Sequence, residues 1–447
     1  MRQATKSINF KFLMLMKIWF LISGMNPVIF LFKNLGEERL MNTGDTAFVL
    51  VSSAMVMLMT PGLALFYGGM VRAKNVLGTI MQSFILIGVI SLQWLLWGYS
   101  MAFGPDKLGI IGGFEWIGLR GVGMEPHALY GPTIPHQVFM IFQCMFAVIT
   151  PALITGAFAE RMRFGPFLIF SLLWATLVYN PLVHWIWGNG GWLARMGALD
   201  FAGGIPVHLS SGVAAVAAAI IMGKRRGYGT EDLKPHNLPR TILGAGLLWF
   251  GWFGFNAGSA LSAGSLAGSA FVATHIAGTT GALSWIAMEW KFIGKATTLG
   301  AASGAVAGLA TVTPASGFVG PFSAALIGVA AGGCCYLGIK MKNKFGYDDS
   351  LDVVGIHGVG GVIGLIATGL FASKAVNPNG ADGLFFGNAS QLGIQTIAIL
   401  VTIVYVFAVS FGILKALDKI FGLRVLDHEE MSGLDLTQHD ETAYTST

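Results

Sequence analysis

The sequence predicts an all-α polytopic membrane protein with eleven transmembrane helices, arranged as two inverted five-helix halves plus a final helix. Of its 447 residues, 54% are apolar and 11% are charged, and the mean hydropathy is +0.68, whereas soluble domains carry about 25% charged residues. The apolar residues gather in runs of about 20, the length that crosses a bilayer as a helix. The basic residues lie mainly in the short loops between alternate pairs of runs, which orients the chain.

Each predicted span is an apolar run bounded by a loop that carries charges, glycines or prolines. Glycine is frequent, with 62 in the chain, and small residues let membrane helices approach one another closely. In chain order the predicted spans are 45–70, 77–103, 136–158, 164–187, 203–223, 240–260, 265–290, 297–313, 318–341, 352–373 and 391–418.

The distribution of lysine and arginine predicts the orientation of these spans. Seventeen basic residues follow the odd-numbered spans, and only four follow the even-numbered ones. Because cytoplasmic loops are enriched in Lys and Arg, the core at 41–421 is predicted to begin outside the cell, and the tail at 422–447 is predicted to be cytoplasmic. The lipid bilayer thus accounts for the net charge of +5 without nucleic acid as a partner.

Residues 1–40 do not fit this count and have two interpretations. Basic residues precede a weak apolar stretch at 12–32 that Pro27 interrupts, the pattern of a signal-like leader, although no small-residue cleavage site is evident. The alternative is a mis-annotated start, with translation beginning at Met41. Gly36-Glu37-Glu38 is what a purine-rich ribosome-binding sequence encodes when it is read as codons.

Two ionisable pairs lie in corresponding spans of the predicted halves. Asp200 precedes His208 at the start of span 5, and Asp352 precedes His357 at the start of span 10. Since five is odd, spans 1–5 and 6–10 run in opposite senses, and an inverted repeat brings corresponding residues together near the midplane. We therefore expect His208 and His357 to meet inside the bilayer, where an ionisable group needs a function or a partner.

Other interpretations of these residues stay open on sequence alone. The histidines are also compatible with ordinary packing residues, and an aspartate at a helix start can simply accept hydrogen bonds from free N–H groups. A zinc site is disfavoured because neither span has histidines at i and i+4 and no third ligand is evident. The three cysteines, Cys144, Cys334 and Cys335, show no ligand spacing either.

Aromatic residues cluster in spans 3, 4 and 6. Phe142 and Phe146 lie in span 3, Trp187 ends span 4, and the run 249–255 in span 6 is followed by Ser259. Most such residues in membrane proteins belong to the core or to the interfacial belt. An aromatic face at a pore mouth can also attract a small cation, with about 0.5–2 kcal/mol, and a serine hydroxyl can accept a hydrogen bond from it.

Four stretches together resemble the ammonium transporter (Amt/Mep/Rh) family, in its bacterial and archaeal Amt branch. They are Asp200-Phe-Ala-Gly-Gly through His208, Gly251-Trp-Phe-Gly-Phe-Asn-Ala-Gly-Ser259, the small-residue stretch 301–314, and Asp352 through His357-Gly-Val-Gly-Gly361. The resemblance extends from Met41 to the tail. It implies a homotrimeric channel for ammonium and ammonia in the cell membrane, with methylammonium as an analogue, and neither an enzyme nor a cofactor-dependent protein.

The resemblance also implies roles for individual residues. Trp187, Phe146 and Ser259 would form an outer ammonium site that Asp200 organises, and Phe146 and Phe255 would form the gate below it. Phe142 and Gln143 match the family pattern near this mouth.

Below the gate, the resemblance makes His208 and His357 the twin histidines of the pore, with Trp252 beside them. Because desolvation below the gate disfavours the charged form, ammonium would lose its proton, ammonia would pass the imidazoles and be reprotonated on the cytoplasmic side, and potassium, which has no proton to lose, would be excluded. Two features depart from the family pattern: Pro206, two residues before His208, and His275 in span 7, which we interpret as structural.

Two other functions compete with this one. Composition alone favours a solvated acidic tail, but the stretch 422–444 resembles the family's docking segment for P-II nitrogen regulators, which would make the chain a regulated channel or a sensor. A gas channel of the Rh type for ammonia or carbon dioxide is the third possibility. The intact outer aromatic site favours the Amt interpretation.

Overall fold

The computed structural model describes residues 41–444, so the predicted leader at 1–40 lies outside the described residues. Two short antiparallel ribbons occupy the connection between α2 and α3: β1 (Asp106–Lys107) with β2 (Ile111–Gly112), and β3 (Pro126–His127) with β4 (Gly131–Pro135). The rest of the regular structure is helical. The helices are α1 (Thr43–Met70), α2 (Ala73–Phe103), α3 (His136–Phe158), α4 (Phe164–Trp174, Ala175–Tyr179 and Asn180–Trp187 in continuous succession), α5 (Trp192–Met196), α6 (Gly204–Met222), α7 (Leu238–Gly258), α8 (Ser265–Ile293), α9 (Thr298–Val312), α10 (Pro321–Phe345), α11 (Val354–Phe371), α12 (Ala389–Phe421), α13 (Asp427–Ser432) and α14 (Leu434–His439).

Each of the eleven predicted spans overlaps one of these helices. Eight helices in the described part of the chain are long and apolar enough to cross a membrane. The other three are α7, α8 and α9: the first two have 21 and 29 residues, and α9 has 15. The chain is therefore a multi-pass membrane protein.

Several helix starts follow directly from the sequence, because a polar side chain accepts one of the N–H groups that the helix leaves free. The Asn42 side chain accepts from the N–H of Asp45 at 3.0 Å before α1. Asn237 does the same for Arg240 at the start of α7, also at 3.0 Å. These caps fix where the helices begin.

Glycines let two pairs of helices touch backbone to backbone. A Cβ added to Gly244 of α7 would lie 2.4 Å from the backbone nitrogen of Phe66 in α1. A Cβ added to Gly212 of α6 would lie 2.2 Å from both Cα and N of Gly358 in α11. Neither site has room for a side chain, so glycine is what permits these approaches.

The tail folds back onto one end of the bundle, which we call the tail face. The buried Glu430 of α13 accepts hydrogen bonds from the Arg424 guanidinium and from the N–H of Arg226, both at 2.7 Å. The N–H of Leu434 donates to the Asn75 side chain at 2.8 Å. Up to Tyr444, the tail is thus folded against the core rather than solvated as its composition alone suggests.

Candidate functional site: a histidine pair below an aromatic cluster

Both histidines lie in π-helical turns that open their helices. His208 lies in the turn Gly204–Leu209 of α6, and His357 lies in the turn Val354–Gly358 of α11. In the first turn, the N–H groups of Val207 and His208 both donate to the carbonyl of Gly203 at 3.1 Å. Wide turns of this kind are rare and occur frequently at functional sites.

The Asp200 carboxylate caps the turn that carries His208. It accepts the N–H groups of Gly203 and Gly204 at 2.8 Å and that of Ile205 at 2.6 Å. Burial raises the pKa of Asp200 to about 6, and these three N–H donors oppose that rise. Pro206 follows directly, within the first turn, where a missing N–H removes no intrahelical hydrogen bond. The departure at Pro206 therefore fits this helix start.

The equivalent cap of α11 is Asp349, not Asp352, which the sequence analysis paired with His357. The Asp349 carboxylate accepts the N–H of Val354 at 2.8 Å. Asp352 instead forms an ion pair with Lys342 and has a positive φ of 64°. Asp349 precedes His357 by eight residues, the same spacing that separates Asp200 from His208. That shared spacing is the sequence signal for this residue.

The two imidazoles face one another in the interior. The Nδ1 atoms of His208 and His357 lie 3.2 Å apart, and the ring planes differ by 11° with a centroid separation of 5.2 Å. Both side chains are buried. The close approach of Gly212 and Gly358 sets this distance, because Gly212 lies one turn beyond His208 and Gly358 follows His357. The structure thus brings the two predicted pore histidines together.

Trp252 and Phe255 of α7 pack on the His208 ring. The ring centroids lie 5.6 Å and 6.0 Å from it, with interplanar angles of 22° and 25°. The indole N–H of Trp252 donates to the Thr313 hydroxyl at 2.9 Å, which leaves the Trp252 ring fixed with its donor satisfied. Thr313 was not singled out from the sequence, although it lies in the small-residue stretch 301–314.

An aromatic cluster continues from Phe255 toward the C-terminal end of α4. Phe146 lies 4.2 Å from Phe255 and 6.1 Å from Trp187 between ring centroids. The Trp187 indole N–H donates to the backbone carbonyl of Asp200 at 2.9 Å, which ties the outer aromatic residue to the cap of α6. Phe142 packs on Phe146 at 4.9 Å.

Ser259 lies one turn beyond Phe255 at the end of α7, and its hydroxyl donates to the Phe255 carbonyl at 2.8 Å. Its oxygen therefore keeps lone pairs that can accept another donor. Ser259 follows Gly258, where an added Cβ would lie 2.9 Å from the Phe142 ring. The helix end that carries Ser259 is thus seated against the aromatic cluster.

The histidine pair lines a cavity between α1, α3, α6, α7, α9 and α11. The cavity is narrow, with space for about one water-sized molecule, and its wall is mostly aliphatic. Tyr67 also lines it, but its hydroxyl donates to the Leu153 carbonyl at 3.0 Å. Nε2 of His208 is buried without a hydrogen-bond partner among the described residues. The imidazoles are therefore the principal polar groups of this cavity.

His275 lies away from this cavity. Its side chain is exposed on the outer surface of α8, and its ring lies 5.6 Å from Trp249 and 6.1 Å from Phe253 between centroids. It contributes nothing to the histidine pair.

A buried, narrow and largely apolar cavity inside a bundle of membrane helices, with facing imidazoles, is the construction of a membrane channel or transporter rather than of an enzyme. Comparison with known proteins also indicates a membrane transporter. The model of the Ammonium Transporter Family matches residues 47–444, so the chain belongs to that family.

Curated relatives and solved structures show the same membership. An ammonium transporter of Bacillus subtilis is 56% identical over 405 residues, which cover 90% of this chain and 99% of that protein. The ammonium transporter Amt1 of Archaeoglobus fulgidus is 48% identical and covers 91% and 100%. The crystal structure of Candida albicans Mep2 superposes with a TM-score of 0.83 at 36% identity and covers 90% of each chain. A sensor Amt protein has a TM-score of 0.82 at 29% identity, over 89% of this chain and 98% of that one.

These comparisons confirm the resemblance that the sequence motifs predicted. They make the chain a multi-pass membrane protein of ammonium transport and not an enzyme.

Proposed function

We propose that the chain recruits ammonium at Trp187, Phe146 and Ser259, strips one proton from it, and conducts ammonia past His208 and His357. The observation that carries this proposal is the buried pair of nearly parallel imidazoles in a narrow, largely aliphatic cavity. An apolar wall disfavours any ion, whereas neutral ammonia needs only a donor and an acceptor.

The contact between the two Nδ1 atoms fixes how hydrogens are shared by the neutral pair. One ring donates its Nδ1–H to the bare Nδ1 of the other at 3.2 Å. A neutral imidazole carries one N–H, so the donor ring has a bare Nε2 and the acceptor ring has an Nε2–H. The pair offers one acceptor and one donor, which is what successive ammonia molecules need to pass along it.

The aromatic cluster supports a recruitment site with a gate below it. A cation at Trp187 and Phe146 gains cation–π attraction of about 0.5–2 kcal/mol, and the Ser259 oxygen can accept one of its N–H groups. Phe146 and Phe255, at 4.2 Å, close the way toward the imidazoles. Ammonium can pass by leaving its proton outside, but potassium has no such route.

We further propose that all eleven helices cross the membrane as two inverted halves plus α12, with the tail in the cytoplasm. The helix contacts support this arrangement. The first and sixth helices of the eleven, α1 and α7, touch at glycine, and so do the fifth and tenth, α6 and α11. An inverted repeat pairs helices in this way. The eight-residue spacing of Asp200–His208 and Asp349–His357 is a second repeat-related feature.

The outer site, gate and pore are proposed to operate in each subunit of a homotrimer. The folded tail favours a regulated channel, because its buried Glu430 contacts the loop between α6 and α7 through Arg226, and a P-II type regulator is the soluble partner that we propose for this face. The sensor Amt protein that the chain resembles makes a signalling role the second candidate function.

The test is uptake of methylammonium by a transport-null host that expresses this chain or its variants. We expect Trp187→Ala to raise the half-saturating concentration, because it removes cation–π attraction at the mouth. We expect His208→Ala to abolish uptake with the protein still in the membrane. Full uptake by the His208 variant contradicts the proposed pore, and lost uptake with intact cytoplasmic signalling supports the sensor role.

A further inference from the structure

A buried histidine lies one helical turn before Trp187 in α4. His184 is 0% exposed, and each of its ring nitrogens contacts an oxygen atom outside α4. Nδ1 lies 2.9 Å from the backbone carbonyl oxygen of Ala102, near the end of α2. Nε2 lies 2.9 Å from Oδ1 of Asp106, in β1. The imidazole therefore ties the C-terminal end of α4 to α2 and to the ribbon β1–β2, and we call His184 and Asp106 the α4 dyad.

The two partners of His184 require a hydrogen on each nitrogen of the ring. A carbonyl oxygen only accepts hydrogen bonds, and so does an ionised carboxylate. Burial raises the pKa of Asp106, but hydrogen bonds from His184 and from the N–H of Gly109 outweigh that rise and hold the pKa below its ordinary value. Asp106 is thus ionised, and the second proton of the dyad lies on His184. The dyad is an ion pair.

The loop that follows Trp187 packs directly on these two side chains. A Cβ added to Gly188 would lie 2.5 Å from Nδ1 of His184, and a Cβ added to Gly190 would lie 2.6 Å from Cβ of Asp106. Neither glycine has room for a side chain, so the backbone beyond Trp187 rests against the dyad. Displacement of either side chain must therefore displace this loop.

The position of the Trp187 ring depends on the backbone that the dyad holds. On its other side, the indole N–H is held by the Asp200 carbonyl at 2.9 Å. Phe146 lies 6.1 Å from Trp187 between ring centroids, and cation–π attraction requires a cation within about 6 Å of the centroid of a ring. A shift of the end of α4 would thus change how well one cation can contact both rings.

We infer that His184 and Asp106 are positioning residues for ammonium recruitment, which hold the end of α4 so that Trp187 faces the cation beside Phe146. The inference rests on the proposed recruitment site. The cation contacts the aromatic rings, whereas the dyad acts on it only through the backbone of α4. Loss of the dyad should therefore weaken recruitment and leave the passage of ammonia unchanged, because the histidine pair lies on α6 and α11.

The test is the concentration dependence of methylammonium uptake by the transport-null host, per molecule of the full chain in the membrane. Asp106→Ala breaks the dyad, and the half-saturating concentration should rise about fivefold at an unchanged maximal rate, within the range of about two- to thirtyfold that cation–π attraction contributes to affinity. Asp106→Asn should stay close to wild type. A neutral His184 can donate from Nδ1 to the Ala102 carbonyl and accept from the new amide at Nε2.

Glu115→Ala is the matched control. Glu115 lies in the same connection between α2 and α3, and it pairs with Lys107, the exposed neighbour of Asp106, at 3.0 Å. Its removal takes away one negative charge close to Asp106 but breaks no hydrogen bond to α4 among the described residues. Its half-saturating concentration should equal that of wild type. A rise as large as that of Asp106→Ala means that the charge alone attracts the cation, which overturns the positioning role.

The proton held by the dyad provides a second readout that needs no disruptive variant. Histidine changes its charge near neutral pH, and a neutral His184 can satisfy the carbonyl or the carboxylate but not both. Arg195 of α5 and Tyr130 also face Asp106. Neither titrates in this range, because arginine stays charged and burial raises the pKa of Tyr130 to about 12.

Raising the external pH should therefore raise the half-saturating concentration of wild type. Asp106→Asn, whose contact is neutral throughout, should show no such rise. Methylammonium remains a cation over this range, as a lysine side chain does. If Asp106→Ala does not reach the membrane, this comparison decides, and equal pH dependence of wild type and Asp106→Asn overturns the inference.

An unchanged half-saturating concentration in Asp106→Ala, or a fall in its maximal rate alone, also overturns the inference. Asp106→Ala combined with Trp187→Ala should recruit no more weakly than Trp187→Ala alone, because the dyad acts through that ring, and additive losses contradict this. An unchanged half-saturating concentration in Trp187→Ala itself refutes the proposed recruitment site. A rise in Trp187→Ala without one in Asp106→Ala refutes only the role of the dyad.

Discussion

The substitution Gly212→Ala tests whether the crossing of α6 and α11 sets the distance between the imidazoles. A Cβ at Gly212 would lie 2.2 Å from Cα and N of Gly358, whereas non-bonded carbons rest at about 3.5 Å. The backbones must therefore separate by about 1.3 Å, the difference of those two distances. A shift of that size takes the two Nδ1 atoms from 3.2 Å beyond hydrogen-bond range.

Overpacking of this kind costs about 1–3 kcal/mol in stability. We expect Gly212→Ala to reduce methylammonium uptake at least tenfold while the protein still reaches the membrane. The reciprocal change is the matched control, because a Cβ at Gly358 lies 3.5 Å from its nearest neighbour, Cα of Gly212. Gly358→Ala should therefore retain most of the uptake. Gly393→Ala in α12, where no atom lies within 4 Å, should be neutral.

Uptake is measured per molecule of purified protein in proteoliposomes, beside thermal unfolding of each variant in detergent. Full uptake by Gly212→Ala refutes the argument that this contact positions the histidines. A similar loss in Gly358→Ala refutes it as well, since that change creates no short contact.

Three further substitutions have defined outcomes. Trp252→Phe removes the hydrogen bond to Thr313, and we expect the free energy of unfolding to fall by about 1 kcal/mol. The measurement is the thermal unfolding midpoint in detergent, which should be lower than in wild type; an unchanged midpoint means that the bond contributes nothing to stability. Asp200→Asn leaves at least one of the three N–H groups of the helix start without its acceptor, which should lower the free energy of unfolding by about 1–3 kcal/mol. An unfolding midpoint equal to that of wild type contradicts the capping role. Glu430→Gln weakens the buried contacts of the tail, so limited proteolysis of the tail should be at least fivefold faster than in wild type, whereas the exposed Glu441→Gln should cleave at the wild-type rate.

Helices could be predicted from the sequence because lipid imposes long apolar runs on any span. The predicted ends of the helices were less accurate than their positions in the chain. The predicted range 318–341 corresponds to α10 at Pro321–Phe345, and the predicted range 391–418 corresponds to α12 at Ala389–Phe421. Both helices continue past their apolar runs through lysine-bearing turns, which lie beyond the hydrocarbon and leave no hydropathy signal there.

The sequence predicted the histidines of the candidate site, but it did not predict the contacts that position them. His208 and His357 stand out because ionisable residues are rare in spans. Asp349 was missed because Asp352 is the carboxylate nearest to the predicted helix start, although Asp349 lies eight residues before His357, the same spacing that separates Asp200 from His208. Gly212 was not predictable from one sequence, since nothing distinguishes it among 62 glycines until the helices are seen to cross.

The tail illustrates a different limit. Its composition is that of a solvated acidic segment, yet Glu430 is buried and Leu434 donates to Asn75. Arg226, which donates to Glu430, and Asn75 lie 204 and 359 residues away from their partners in sequence, and no local sequence pattern predicts such long-range contacts.

The most direct test of the account is the ability of proteoliposomes with the purified chain to discriminate ammonium from potassium. Equal gradients of the two ions are applied in turn, and charge movement and internal pH are recorded together. If the proton is removed before the histidine pair, ammonium gradients produce transport and a potassium gradient produces no current above that of protein-free vesicles. A potassium current as large as the ammonium response contradicts the claim that only a species able to lose a proton passes His208 and His357.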